Sequence, residues 1–125
     1  MVEKNKKFIL WFEELKIEDI PLVGGKNASL GEMYLNLSQK GVRIPNGFAI
    51  TAYAYRYLLE KTNSIKKIKE ILSGLDTSNM ENLSERGNKI RAFIRNLEFP
   101  EELRKEIVEA YKKLESQYEK NVDVA

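Results

Sequence analysis

Gly24-Gly25-Lys26 is the stretch of this 125-residue chain whose residue types and spacing best suit chemistry. Glycines let backbone amides approach an anion closely, and a lysine adds a mobile positive charge with three donors. A helix beginning directly afterwards points unpaired amides and the positive end of its dipole at the same place. Together these features describe a cradle for a phosphate group. The spacing is not that of a P-loop, because Ile20 stands where that motif needs a glycine and Asn27 where it needs Ser or Thr. It is not a dinucleotide fingerprint either, since Gly25 is followed by Lys26 rather than by a spaced second glycine. The same residues also read as a glycine turn before a capped helix, with Lys26 merely solvated.

Other chemistry-bearing groups are weaker candidates. Tyr53, Tyr55 and Tyr57 suggest a stacking surface, but binding a nucleic-acid strand also needs a basic groove. Arg91 and Arg95, four apart, suit a phosphate clamp and equally an exposed helical face. Glu101 and Glu102 are accounted for by the electrostatics of a helix start. The chain has no histidine and no cysteine. The usual zinc sites, catalytic triads and phosphohistidine carriers therefore cannot be built from it, and a reaction involving it takes its nucleophile from elsewhere. No catalytic and no metal-ligating residue is assigned.

The elements that position the glycine-lysine segment follow from periodicity and punctuation. Phe8 to Phe12 is a continuous apolar and aromatic run, which predicts a buried strand. Pro21 and Gly24-Gly25 predict a loop, and Asn27 or Ser29 the cap of a helix running towards Gly41. Ser29 with Glu32 fits the capping box, and Leu30, Met33, Tyr34 and Leu37 recur at helical spacing. Pro45-Asn46-Gly47 turns the chain into a second strand at Phe48 to Thr51, where Thr51 caps a helix reaching about Lys61. A third helix carries Ile65, Ile68, Ile71, Leu72 and Leu75 and stops at Gly74. Ser78 and Glu81 form a second capping-box pattern before a helix that groups Leu83, Ile90, Phe93, Ile94 and Leu97. Pro100 opens a fifth helix with the stripe Leu103, Ile107, Tyr111, Leu114 and Tyr118. Val122 to Ala125 alternates like a strand just beginning. Two strands and a third cut short are too few for an independent sheet. They either pair with each other at the edge of a helical domain or belong to a sheet whose remainder is missing, the arrangement preferred here.

Composition sets the frame. Apolar residues at 42% suffice for one core, and 21 basic against 19 acidic side chains leave a net charge of +2. That balance gives no strong field for nucleic acid or anionic lipid. The apolar run after the charged start is too short for a secretory signal, and no stretch approaches the roughly 18 residues of a membrane span. The expected location is the cytoplasm, with neither nucleic acid nor membrane as a partner.

Two linked segments carry a family resemblance. Leu22 to Met33 (LVGGKNASLGEM) and Gly41 to Thr51 (GVRIPNGFAIT), with Trp11 to Leu15 before them and Ala52-Tyr53 after, resemble the amino-terminal signature of the phosphoenolpyruvate synthases, the pyruvate, water dikinases. The resemblance is close from about Phe8 to Leu59 and mainly helical in character to the end. It implies an α+β, helix-rich fold with short strands and about five helices, the first subdomain of an ATP-grasp-like nucleotide-binding domain. Residues 1–125 would then be the incomplete amino-terminal portion of that domain. It also implies that Lys26 contacts ATP phosphates, with Gly24 and Gly25 in the same loop, and that Thr51 is structural. In the family, ATP, pyruvate and water become phosphoenolpyruvate, AMP and phosphate by way of a phosphohistidine. Magnesium and the remaining phosphate contacts come from parts absent here, so the expected partners are ATP, the rest of the ATP-binding domain, the phosphohistidine domain and the pyruvate domain. The chain alone is expected to bind rather than catalyse. Pyruvate, phosphate dikinase and the rifampicin-type phosphotransferases share a similar glycine-lysine start, and a stand-alone helical interaction module is the reading from another class.

Overall fold

The computed structural model describes residues 2–118, and the Val122 to Ala125 alternation lies outside them. The described residues form a helix-rich α+β arrangement of two strands and five α-helices. They fall into two compact units, one drawn from Met1–Arg56 with Glu101–Ala125, the other being Tyr57–Pro100.

In the first unit β1 (Ile9–Trp11) pairs antiparallel with β2 (Phe48–Ile50), Leu10 opposite Ala49. The two strands thus pair with each other, one of the two arrangements their number allows. Side chains alternate across a strand, so Leu10 and Ala49 are buried while their neighbours are half-buried or exposed. The strand is shorter than Phe8 to Phe12, because Phe12–Glu14 folds into a 3-10 turn in which Glu14 Oε2 accepts the Trp11 amide at 2.8 Å. Leu10, Leu15 and Ala49 form the core here, with Phe12, Leu22 and Val23 packed against it.

Helix α1 (Ile20–Ser38) follows the 3-10 turn Ile17–Asp19. Of the loop that Pro21 and the glycine pair predict, only a kink at Gly24 is present, and the residues on either side of it are helical. Proline needs no amide partner in a helix's first turn, and that is where Pro21 sits. The Ser29–Glu32 capping box does not form, since Ser29 lies inside α1. Glu32 instead accepts the Ile17 amide at 2.9 Å and the Asn36 side chain at 3.2 Å.

Thr51 caps α2 (Ala52–Lys61) as expected, its Oγ1 accepting the Ala54 amide at 3.1 Å. The same hydroxyl donates to the Lys7 carbonyl at 2.6 Å, and the Thr51 amide donates to Phe8, so the cap is tied to β1's leading end. Helix α5 (Glu101–Gln117) starts directly after Pro100 and buries Leu103, Ala110 and Leu114. Tyr118, expected on this apolar stripe, is exposed and uses its hydroxyl instead, accepting the Asn46 amide at 2.6 Å.

The second unit contains α3 (Ser64–Leu72) and α4 (Met80–Arg95), which pack together. Gly74 follows α3 as the expected stop, and Arg86 donates to the Ile71 and Ser73 carbonyls left unpaired at that helix end. The Ser78–Glu81 cap is replaced by Asn79, whose Oδ1 accepts the Asn82 amide at 3.1 Å. Ser78 is engaged with Asp76, which draws it out of the capping position.

Candidate functional site

Gly24 is the single non-helical residue inside α1, at φ 83° and ψ 165°. That backbone region is open to glycine and strained for other residues. The helix restarts at Gly25, so a helical amino terminus, with its unpaired amides and positive dipole end, lies at the Gly24-Gly25-Lys26 turn. Asn27 spans the break, its Nδ2 donating to the Val23 carbonyl at 3.1 Å. By sequence Asn27 is a cap candidate. Its side chain instead satisfies an acceptor on the far side of the kink.

The turn is held from both sides. Leu22 and Val23 pack on the core before it, and Ala28 is fully buried after it. One turn further, Gly31 is buried because a Cβ there would lie 2.4 Å from Leu15 Cβ and 3.0 Å from the Leu15 carbonyl oxygen. Leu15 is therefore wedged directly against the backbone of α1. Nothing in the glycine-lysine motif names this contact, although Leu15 belongs to the preceding Trp11 to Leu15 segment.

Between these anchors the motif's own side chain is uncommitted. Lys26 is exposed, and among the described residues it makes no ion pair and no hydrogen bond. Gly25 is helical, and a Cβ added there would meet nothing within 4 Å. Gly24 thus has a backbone reason to be glycine, Gly31 a packing reason, and Gly25 neither. An open approach to the first amides of a helix beside a free ammonium group suits an anion with several oxygens.

The second segment is fixed on the same core. Gly47 admits the Phe12 ring, since a Cβ would stand 2.7 Å from Phe12 Cε2. Asn46 is fastened to the end of α5 through Tyr118 and through Gln117, whose Oε1 accepts Asn46 Nδ2 at 2.9 Å. The Trp11 to Leu15 segment therefore reaches both motifs, Leu15 at Gly31 and Phe12 at Gly47.

Two carboxylates lock the approach to α1. Asp19 Oδ2 accepts from Lys4 Nζ and from the Lys16 amide, and Glu14 Oε1 accepts from Lys7 at 2.9 Å. Burial acts to raise both carboxyls. For Asp19 the Lys4 and Lys16 hydrogen bonds and charges outweigh it, and for Glu14 the Trp11 amide with Lys7 and Lys4 does. Both are held below their ordinary values. They are structural ion pairs committed to their own turns.

The remaining candidates do not join the turn. Phe8 stacks on Tyr53 at 5.6 Å, Lys61 covers Tyr57 at 5.5 Å, and Arg91 bonds Asn88. Glu101 pairs with Arg104 in the first turn of α5. Among the described residues no group of three or more acidic, histidine or cysteine side chains is arranged to hold a metal ion, so no step through magnesium is derived for this chain. No helix of the described residues is long and apolar enough to cross a membrane.

A lysine-bearing helical amino terminus set on a small α+β core is the setting in which the family can be read. Residues 20–125 match the family model described as pyruvate phosphate dikinase, AMP/ATP-binding domain, and the chain belongs to that family. Three relatives share one name. The chain is 49% identical over 125 residues to a phosphoenolpyruvate synthase of Aquifex aeolicus, covering 99% of the chain and 15% of the relative. To phosphoenolpyruvate synthases of Synechocystis sp. and Escherichia coli it is 47% and 42% identical, covering 89% and 88% of the chain. It spans 14% of each of those two proteins, a small part of their length.

Proposed function

We propose that this chain supplies the phosphate-facing turn of an ATP site, in the first subdomain of an ATP-grasp-like domain of a phosphoenolpyruvate synthase. Lys26 carries the reading: it is an exposed ammonium without a partner among the described residues, one residue past the place where α1 restarts. In this role Gly24 sets the kink, Gly25 leaves the backbone bare for close approach, and Lys26 neutralises phosphate oxygens. Charge-assisted bonds of this kind are roughly twice as strong as neutral ones. Family membership and the relatives' names support ATP as the ligand.

The whole protein would convert ATP, pyruvate and water to phosphoenolpyruvate, AMP and phosphate in the cytoplasm. Its phosphoryl carrier histidine lies elsewhere, because this chain has no histidine. Stabilising a transferring phosphoryl group takes several converging charges and a metal, so magnesium and further basic residues come from the rest of the ATP-binding domain. The phosphohistidine and pyruvate domains complete the enzyme, and this chain binds without catalysing.

The test is Lys26→Ala in the full-length enzyme. Pyruvate-dependent formation of AMP from ATP should fall by at least about tenfold, the weight of one hydrogen bond to a charged group. Undiminished turnover would remove Lys26 from the site.

A further inference from the structure

We propose that Asn46 is a site of spontaneous deamidation directed by the backbone, and that its contact with the end of α5 sets how fast it reacts. Of the chain's asparagines, Asn46 alone is followed by glycine. A side chain at that position would have to displace the Phe12 ring, whose Cε2 and Cζ lie 2.7 Å and 2.9 Å from where a Cβ would stand. The packing of Phe12 thus places the least hindered kind of amide nitrogen directly after an asparagine.

The side chain is folded back towards that nitrogen. Asn46 Oδ1 accepts the Gly47 amide at 2.9 Å. The Cγ atom is one carbonyl bond of about 1.23 Å from Oδ1, hence next to the same nitrogen. The other end of the carboxamide is held as well, with Nδ2 donating to Gln117 Oε1 at 2.9 Å. A carbonyl accepts hydrogen bonds near its own plane, whereas a nucleophile must meet Cγ from the face of that plane. The two bonds therefore hold the group edge-on to its attacker, and reaction requires release from Gln117.

The step is balanced by water alone. The Gly47 nitrogen, its proton given to solvent base, forms a bond to Asn46 Cγ. The Cγ–Nδ2 bond breaks, and the nitrogen leaves as ammonia after taking a proton from water. A second water opens the resulting five-membered imide at one carbonyl or the other, leaving aspartate or isoaspartate at position 46. Nothing is oxidised or reduced. The product has no Nδ2 donor for Gln117, so one of the two side-chain and backbone bonds that fasten the turn before β2 to α5 is lost.

The experiment incubates the purified full-length protein at mildly alkaline pH and follows the tryptic peptide of residues 44–56, in which Asn46 is the sole asparagine. Aspartate and isoaspartate should accumulate in this peptide before any other asparagine of residues 2–118 reacts. Gln117→Ala should speed the change roughly two- to tenfold, the weight of one net hydrogen bond. Gln117→Glu, which keeps an accepting oxygen, should retain the slow rate, and in concentrated urea all three proteins should react alike. If Asn46 reacts no sooner than the other asparagines, the site is overturned. If Gln117→Ala and Gln117→Glu react equally fast in the folded protein, control by α5 is overturned.

Discussion

Replacing Gly31 by alanine puts the packing of α1 to a quantitative trial. The added Cβ would stand 2.4 Å from Leu15 Cβ, with the Leu15 carbonyl oxygen at 3.0 Å and its carbon at 3.2 Å. These are main-chain atoms and a Cβ, so no rotamer change relieves them. Restoring ordinary contact requires the helix and the Leu15 segment to separate by about 1 Å, and such overpacking costs about 1–3 kcal/mol. Alanine returns up to about 1 kcal/mol through helix propensity, which leaves a net loss of about 0–2 kcal/mol and a deficit of about 1–3 kcal/mol against a glycine-to-alanine change without the clash. Gly25→Ala is the internal control, being helical with open space around the new methyl group. It should be neutral or stabilising by about 0.5 kcal/mol, because the same propensity acts without a clash. Urea denaturation of the two variants beside the parent gives both numbers from midpoints at constant slope. Equal stability of Gly31→Ala and Gly25→Ala would refute the close packing of Leu15 on α1.

Three further outcomes follow from the contacts. Thr51→Val removes the oxygen that accepts from Ala54 and the donor to the Lys7 carbonyl, both at a buried position, and should cost about 1–3 kcal/mol by denaturation. Asn79→Ala should destabilise by about 1 kcal/mol while Glu81→Ala has little effect; the reverse order would restore the Ser78–Glu81 cap. Acid should unfasten the turns before α1. Asp19 and Glu14 are held below their unfolded values, so their contribution is complete above the unfolded carboxylate pKa of about 4 and disappears as pH falls through the folded values. The loss of stability between about pH 5 and pH 2 should be shallower in an Asp19→Asn, Glu14→Gln protein. An unchanged slope would count against these ion pairs.

What could be read from the sequence was chemistry confined to a few adjacent residues. Thr51 as a cap and Gly74 as a stop each depend on neighbours within one helical turn, and both stand, while Pro100, expected in the first position of the fifth helix, lies one residue before α5. The start of α1 was misplaced because Pro21 serves equally in a loop and in a helix's first turn, and the choice is made by Leu22 and Val23 joining a core built from residues 10, 15 and 49. Glu32 looked like a capping partner for Ser29, but a backbone amide fifteen positions away claims it. Ser78 and Asn79 are both good cap residues, and only the bond from Ser78 to Asp76 separates them. At the candidate site the sequence marks the glycines together and cannot assign them. The φ of Gly24, the clash at Gly31 and the empty space at Gly25 are properties of three-dimensional placement.

Because Lys26 is exposed and unpaired among the described residues, its substitution should leave folding untouched and act on ligand alone. The direct measurement is nucleotide affinity by titration calorimetry on the full-length protein, parent against Lys26→Met, with ATP and with adenosine. Losing one hydrogen bond to a charged group should weaken ATP binding by about 10- to 100-fold and leave adenosine unchanged. ATP bound equally well by both proteins would contradict a phosphate-binding role for the Gly24-Gly25-Lys26 turn.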